Sequence, residues 1–157
     1  MTPAIALLKR EKTAHSVRSY AHERDADSYG DEAVRKLGLD PAQVFKTLLA
    51  STDAHELLVA IVPVAGQLDL KALAEAAGCK KCGMAAVDAA QRATGYLAGG
   101  ISPLAQKKKL RTFLDASAQA LPTIHVSAGR RGLEVELAPA DLLQLTAGRY
   151  AAIGKAR

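Results

Sequence analysis

An unbroken apolar run, Leu57-Leu58-Val59-Ala60-Ile61-Val62, constrains the fold of this chain more than any other feature. The run has the length of a strand, ends at Pro63 and lacks alternating polar residues, so both of its faces must be covered. A second apolar run, Phe45 to Ser51, precedes it across the polar segment Thr52-Asp53-Ala54-His55. The two runs predict a β-hairpin whose second strand lies in the centre of a sheet.

Signals for short helices and further strands surround this hairpin. Thr2-Pro3 predicts an N-cap and a first helical residue, and a helix from Asp69 should end at Gly78. Other helices are predicted at Asp31–Leu37, at Val87–Ala93 and from Pro139, and other strands at His15–Tyr20, Lys80–Met84, Leu110–Asp115, Thr123–Ser127, Leu133–Leu137 and Tyr150–Ile153. About seven strands among short helices indicate one mixed α/β domain of the α+β type over residues 1–157. The connections are too short for a doubly wound parallel sheet.

The composition supports a compact core and a basic surface. Hydrophobic residues make up 49% of the chain and charged residues 24%, which excludes an intrinsically disordered protein. The net charge is +5, and cations cluster at Lys107-Lys108-Lys109 with Arg111, at Lys80-Lys81 and at Arg130-Arg131. This balance favours a polyanionic partner, but a solvated basic surface without a partner would have the same composition.

The first residues do not have the pattern of a signal peptide, so we expect none, and the sequence contains no apolar run long enough to span a membrane. We therefore expect a cytoplasmic protein without a membrane or DNA partner. Cys79-Lys80-Lys81-Cys82 is the one pair of cysteines. It lacks the further ligands of a zinc site, and it follows a helix end instead of opening a helix as redox pairs do. A structural role is the favoured interpretation, redox and metal roles stay as alternatives, and we expect no metal site and no cofactor.

Lys46 interrupts the first apolar run of the hairpin, between Phe45 and Thr47. Its side chain either extends along the apolar surface to solvent or points into a cleft. In a partly desolvated cleft its pKa would fall, and the amine could hold a phosphate, polarise a carbonyl or assist proton transfer.

The segment Gly95-Tyr96-Leu97-Ala98-Gly99-Gly100-Ile101-Ser102-Pro103 is too rich in glycine for a regular element. It is either a plain turn or a loop whose N–H groups donate to a developing oxyanion. The spacings of phosphate-binding P-loops and of dinucleotide-binding glycine motifs are absent. Ser127 to Gly132 predicts a hairpin turn, and its two arginines either face solvent or contact a phosphate near the mouth of a site.

Several ordered segments resemble the YbaK/EbsC family of aminoacyl-tRNA deacylases, freestanding relatives of the editing domain of bacterial prolyl-tRNA synthetases. The matching segments are Gly30-Asp31-Glu32, Gln43-Val44-Phe45-Lys46-Thr47-Leu48, Pro63 to Lys71, Gln91 to Tyr96, Gly99 to Leu104 and Gly129 to Leu133. The resemblance runs from Thr2-Pro3 almost to the C-terminus, and it is greatest to the branch that deacylates cysteinyl-tRNA(Pro).

This resemblance implies a mixed, partly barrel-like sheet, with a cleft between the lysine strand and the glycine loop. It implies that Lys46 and Gly99 are the catalytic residues and that Pro103 ends the family's GxxxP loop. The substrate-binding residues that it implies are Tyr20, Tyr29, Thr47, Gly100, Ile101, Ser102, Pro103, Ser127 and Glu134. Two positions depart from the family pattern. The family is expected to have an aspartate where this chain has Glu134, and it usually has a phenylalanine where this chain has Tyr29.

The resemblance also implies a chemistry that needs no protein nucleophile. An aminoacyl ester is already activated, so the enzyme must mainly orient it and stabilise charge on the carbonyl oxygen. The thiol of an attached cysteine can attack that carbonyl and release a cyclic thioester. Expected partners are the aminoacylated 3′ end of tRNA and prolyl-tRNA synthetase. The alternatives are an alanyl-tRNA(Pro) hydrolase of the same family and a non-catalytic RNA-binding module.

Overall fold

The computed structural model describes residues 1–23 and 29–157. Within them the chain forms five α-helices, ten strands and one 3₁₀ helix, Ala116–Ala120. The helices are α1 (Pro3–Arg10), α2 (Tyr29–Leu37), α3 (Leu70–Ala77), α4 (Val87–Thr94) and α5 (Pro139–Thr146). The strands are β1 (Ser16–Ser19), β2 (Phe45–Thr52), β3 (Leu57–Pro63), β4 (Gly66–Leu68), β5 (Cys82–Met84), β6 (Arg111–Asp115), β7 (Ile124–Arg130), β8 (Leu133–Leu137), β9 (Arg149–Ala151) and β10 (Gly154–Ala156).

The predicted hairpin is confirmed and forms the centre of a five-stranded sheet of order β5-β2-β3-β6-β9. β2 and β3 pair antiparallel from Phe45 opposite Pro63 to Ser51 opposite Leu57. β6 and β9 continue the sheet in parallel, so it is mixed, as predicted. Residues 58–62 of β3 are fully buried, which confirms that this strand is covered on both faces.

The two faces of β3 contribute to two separate hydrophobic clusters, because successive side chains of a strand point to opposite sides. Val59 and Ile61 pack in one cluster with side chains of α1, β7 and β8. Leu58, Ala60 and Val62 pack in the other, where α3 covers the sheet. The central strand thus lies between two layers, and the site described below opens beside its neighbour β2.

The expectation of one partly barrel-like sheet needs correction, because the described strands do not close into a barrel. β1, β8 and β7 form a separate three-stranded antiparallel sheet, and β10 and β4 form a third sheet. A single parallel bridge between Val44 and His125 joins the first two sheets, with the His125 N–H donating to the Gln43 carbonyl at 2.9 Å. One bridge does not continue a strand ladder, so the sheets meet there without closing.

The predicted helix caps are observed. The Thr2 hydroxyl accepts from the Ile5 N–H at 3.2 Å, and an Asp69 carboxylate oxygen accepts from the Ala72 N–H at 3.1 Å. Gly78 ends α3 with φ of 76°, a left-handed conformation that glycine adopts without strain. No helix within the described residues is long and apolar enough to cross a membrane.

The C-terminal region differs from the prediction. The predicted edge strand Tyr150–Ile153 is replaced by β9, which begins and ends earlier, and by the unpredicted strand β10. The Asp115 carboxylate accepts the N–H groups of Ile153 and Gly154 at 3.1 and 2.8 Å. These side-chain contacts turn the chain out of the large sheet, and β10 then pairs with β4.

Candidate functional site

A cleft of about 410 Å³ opens between the start of β2 and the loop 95–109, which contains no regular element. The start of α4 and the strands β7 and β8 complete its wall. Eight of the eleven site residues predicted from the sequence line this cleft: Tyr20, Tyr29, Lys46, Thr47, Gly99, Ile101, Ser127 and Glu134. The lysine strand and the glycine loop therefore share one cavity.

Lys46 lies in the cleft wall, and its amine is held at a defined position. Its Nζ donates to the Gly66 carbonyl at 3.0 Å, and the residue is half-buried. Burial lowers the pKa of Lys46, the charge of Arg157 lowers it further, and Asp31 opposes both effects. Lys46 thus forms part of the cleft wall and carries an amine whose proton is held less tightly than usual.

Gly99 lines the cleft, and both its backbone conformation and its close neighbour Tyr29 require glycine at this position. Its φ is 88°, and a Cβ there would lie 2.9 Å from Cζ of Tyr29. The Tyr29 ring therefore packs directly on the main chain of the loop. The Gly99 N–H has no hydrogen-bond partner among the described residues. This N–H is available as a main-chain donor beside the cleft.

Arg131 fixes the Tyr29 ring from another direction. The Arg131 guanidinium lies 4.7 Å from the ring centroid and pairs with Glu32 of α2 at 3.2 Å. Burial raises the pKa of Glu32, but hydrogen bonds from the Glu23 N–H and from Arg131 outweigh it, so the pKa lies below its ordinary value. The sequence predicts that Arg131 lies in a turn and either faces solvent or contacts a phosphate. It is instead a mostly buried partner of α2, and nothing in the local sequence connects two residues 99 positions apart.

Glu134 and Thr47 bring unsatisfied polar atoms to the cleft. Glu134 Oε2 and Thr47 Oγ1 are buried without a hydrogen-bond partner among the described residues. Glu134 lies directly opposite Ser127 across the β7–β8 ladder. Burial raises the pKa of Glu134 to about 8, so the carboxylic acid form prevails at neutral pH. Unpaired buried polar groups are costly, and the described residues supply a partner for neither atom.

Tyr20 lies beside this acid. Burial raises the pKa of Tyr20 to about 12, and the negative charges of Glu134 and Glu32 act in the same direction. The phenol therefore stays protonated at physiological pH. It can donate one hydrogen bond but cannot act as a base.

Three predicted site residues do not line the cleft: Gly100, Ser102 and Pro103. The Gly100 N–H donates to the Leu97 carbonyl at 3.0 Å, so in this structure it is not free to donate to an oxyanion. Ser102 is fully buried, and its hydroxyl accepts from the Leu104 N–H at 3.2 Å. Pro103 is also buried. These residues shape the loop that presents Gly99 and Ile101 to the cleft.

The cysteine pair lies away from the cleft. Cys79 and Cys82 are free thiols, and the Cys82 Sγ donates to the Leu70 carbonyl at 3.3 Å. Burial raises the pKa of the Cys82 thiol, which makes it a poorer nucleophile at neutral pH. Among the described residues, no histidine or cysteine lines the cleft, and no cluster of three or more His, Cys, Asp or Glu could hold a metal ion.

Comparison with known proteins assigns the family. The model of the aminoacyl-tRNA editing domain matches residues 23–145. A protein of Enterococcus faecalis named as a Cys-tRNA(Pro)/Cys-tRNA(Cys) deacylase, EbsC, is 37% identical over 152 residues, which cover 97% of this chain and 92% of that protein.

Solved structures share the fold. One described as a trans-editing enzyme for prolyl-tRNA synthetase superposes with a TM-score of 0.82 at 19% identity, covering 99% of each chain. The protein APE2540 superposes with a TM-score of 0.85 at 19% identity, covering 98% of this chain and 99% of its own. As its resemblance to YbaK/EbsC proteins predicted, the chain belongs to the aminoacyl-tRNA editing domain family.

Proposed function

We propose that this protein deacylates tRNA(Pro) that carries cysteine, in trans to the synthetase. The observation that supports this most directly is the convergence of Lys46, Gly99 and Glu134 on one cleft. Family membership supports deacylation of an aminoacyl-tRNA, and the name of the Enterococcus faecalis relative supports cysteine as the amino acid.

The proposed reaction uses the thiol of the substrate. Its sulfur attacks the ester carbonyl carbon, and a C–S bond forms while the C–O bond to the terminal ribose breaks. The thiol proton goes to the departing ribose oxygen, and a cyclic thioester leaves. This route suits a cleft whose described lining contains no histidine or cysteine to serve as base or nucleophile. The protein then contributes orientation and charge stabilisation.

Three groups have proposed roles in this reaction. The Gly99 N–H donates to the carbonyl oxygen as negative charge develops there. The Lys46 amine, held by the Gly66 carbonyl, anchors the terminal nucleotide or polarises the ester. Glu134 in its acid form donates a hydrogen bond to the substrate, as a neutral carboxyl can in an apolar site. Tyr20, Tyr29, Thr47, Ile101 and Ser127 are proposed to enclose the aminoacyl group.

The thiol requirement also provides the proposed selectivity. A small pocket discriminates one methylene by only about 1–3 kcal/mol, so size alone separates cysteine from alanine weakly. An alanine or proline ester has no internal nucleophile and would not react by this route. The competing function, hydrolysis of alanyl-tRNA(Pro) by water, needs an activated water in the same cleft.

The decisive assay incubates the protein with Cys-tRNA(Pro) and Ala-tRNA(Pro) and identifies the released product. We expect cysteine thiolactone from the first and no turnover of the second. Lys46→Ala should lower the rate by at least about 100-fold while the protein stays folded. Lys71→Ala, which removes an exposed lysine of α3, is the matched control, and Cys79→Ala and Cys82→Ala should be nearly silent. A wild-type rate in Lys46→Ala would remove Lys46 from the site.

A non-catalytic RNA-binding module is the remaining alternative, and an inactive wild-type protein that still binds tRNA would support it. Prolyl-tRNA synthetase is the proposed partner, because so small a domain offers little surface for reading tRNA identity by itself. Sedimentation of the protein with the synthetase, with and without tRNA(Pro), tests this association. The proposed location is the cytoplasm, where both partners act.

A further inference from the structure

The mouth of the cleft is surrounded by large apolar side chains that face solvent. Six large hydrophobic side chains are exposed among the described residues; three of these line the cleft, and a fourth directly precedes a lining residue. They are Tyr29, Met84, Val87 and Leu97, which are 44%, 54%, 62% and 75% exposed. We name these four the apolar rim. Single exposed apolar residues are ordinary, but a group around one opening indicates a binding surface.

The rim is continuous with the cleft. Tyr29, Met84 and Val87 also line the cavity, and Leu97 directly precedes the lining residue Ala98. The cavity of about 410 Å³ has the size of a pocket for one small ligand. An aminoacylated terminal nucleoside would fill it, and the nucleotides before it would then lie over the rim.

A strip of exposed cations follows the same loop. The Arg130 main chain packs on Gly100, where an added Cβ would come within 2.5 Å of Arg130 Cα. Lys107 Cβ would lie 3.5 Å from a Cβ on Gly95, at the start of the loop. The N–H groups of Lys107 and Lys108 donate to carbonyls at the end of α4. We name Lys107, Lys108 and Arg130 the basic strip.

The cations of the basic strip are not neutralised by the protein itself. All three side chains are exposed, and none forms an ion pair within the described part of the chain. Their main chains are tied to the loop and to α4, so these residues stay beside the loop that borders the cleft. Free cations beside an apolar rim suit a ligand with both flat apolar groups and regularly spaced negative charges.

We propose that the apolar rim and the basic strip bind the unpaired 3′-terminal nucleotides of the tRNA outside the cleft. The bases lie against the rim and the phosphates against the strip. This inference rests on the proposed function, which places the terminal nucleoside in the cavity. Single-stranded RNA is recognised by this combination of apolar or aromatic contacts to bases and cationic contacts to phosphates.

Binding measurements test the inference without requiring turnover. The probes are uncharged tRNA with its complete 3′ end and the same tRNA lacking its unpaired 3′ nucleotides, followed by fluorescence anisotropy. We expect Leu97→Ser to raise Kd for the complete tRNA by about fivefold, the lower end of the effect of losing one base contact. The same variant should not change Kd for the shortened tRNA.

A second variant tests the cations. Lys107→Ala/Lys108→Ala should raise Kd for the complete tRNA and reduce the slope of log K against log salt by about 1.4, since each single-strand phosphate contact contributes about 0.7. Lys9→Ala/Lys71→Ala is the matched control, because it removes two exposed lysines from α1 and α3. We expect the control to keep the wild-type salt slope.

The outcomes separate this inference from the proposed function. If the wild-type protein binds both RNAs equally, or if both variants keep the wild-type Kd for complete tRNA, the inference is overturned. Unchanged RNA binding with weaker binding of prolyl-tRNA synthetase by Leu97→Ser would assign the rim to a protein. Failure of the proposed function would appear elsewhere, as no release of cysteine from Cys-tRNA(Pro) by wild-type protein.

Discussion

Replacing Glu134 with glutamine should remove a pH dependence from the stability of this protein. Glu134 lies in β8 with Oε2 buried and without a partner among the described residues. Burial raises its pKa to about 8 in the folded protein, whereas the ordinary value is 4.5. Between these two pH values the folded state retains a proton that the unfolded chain has lost. The contribution of Glu134 to the free energy of unfolding must therefore fall as pH rises from about 4.5 to about 8, and then level off.

The size of this effect follows from the same values. Each pH unit between 4.5 and about 8 contributes about 1.4 kcal/mol, so the whole interval gives about 5 kcal/mol as an upper bound. Glutamine keeps the shape of the side chain and cannot ionise. Glu134→Gln should therefore equal the wild type at pH 5 within about 1 kcal/mol, and exceed its stability by about 2–5 kcal/mol at pH 8.

Urea denaturation of both proteins at pH 5, 6, 7 and 8, followed by circular dichroism, measures this difference. Burial lowers the pKa of His125, so His125 changes stability in the opposite direction, but it is present in both proteins and cancels. Glu75→Gln, at an exposed position of α3, is the matched control. A constant stability difference between Glu134→Gln and wild type from pH 5 to pH 8 would refute the reasoning that the buried acid is neutral.

Two further predictions concern the main chain around the site. Gly100→Ala should lower the free energy of unfolding by about 2 kcal/mol or more, because its Cβ would come within 2.5 Å of Arg130 Cα. Gly83→Ala, where nothing lies within 4 Å, should change stability by less than about 1 kcal/mol in the same urea titration. Asp115→Asn should cost about 1–3 kcal/mol by weakening the acceptor of the Ile153 and Gly154 N–H groups, and calorimetry would show a lower Tm.

Local signals in the sequence predicted the centre of the fold well. The apolar run of β3, the cap at Asp69 and the glycine that ends α3 act over a few residues, and the structure contains each of them. The pairing of β4 with β10 was not predictable in this way. Each of these strands has three residues, too few for a periodic pattern, and they lie more than 80 residues apart in the chain. The Asp115 carboxylate of β6 accepts the N–H groups of Ile153 and Gly154 where β10 begins, a contact that no local pattern reveals.

The candidate site was also predictable only in part. Lys46 and the glycine loop were conspicuous in the sequence. The resemblance added Tyr29, Ser127 and Glu134, and these three residues line the cleft. Main-chain hydrogen bonding was not readable from residue types, so the engaged N–H of Gly100 could not be distinguished from the free N–H of Gly99. The polar residues that run from Tyr20 to Gly30 predict an exposed loop, and residues 24–28 of it lie outside the described residues.

The contact between Arg131 and Glu32 should couple α2 to the glycine loop. The Glu32 side chain is fully buried and that of Arg131 is 18% exposed, so removing one partner leaves a charge without compensation. Arg131→Met should therefore cost about 3–5 kcal/mol in the wild type. In a Glu32→Gln background the buried charge is absent, and the same change should cost at least about 2 kcal/mol less.

A double-mutant cycle of these two substitutions, measured by urea denaturation, gives the coupling energy directly. Arg131 also holds the Tyr29 ring that rests on Gly99, so its loss should raise KM for Cys-tRNA(Pro) more than it lowers kcat. If the two substitutions have additive effects on stability, the Arg131–Glu32 pair does not couple α2 to the glycine loop. The ring would then be held by its contact with Gly99 alone, and the loop would position itself without help from α2.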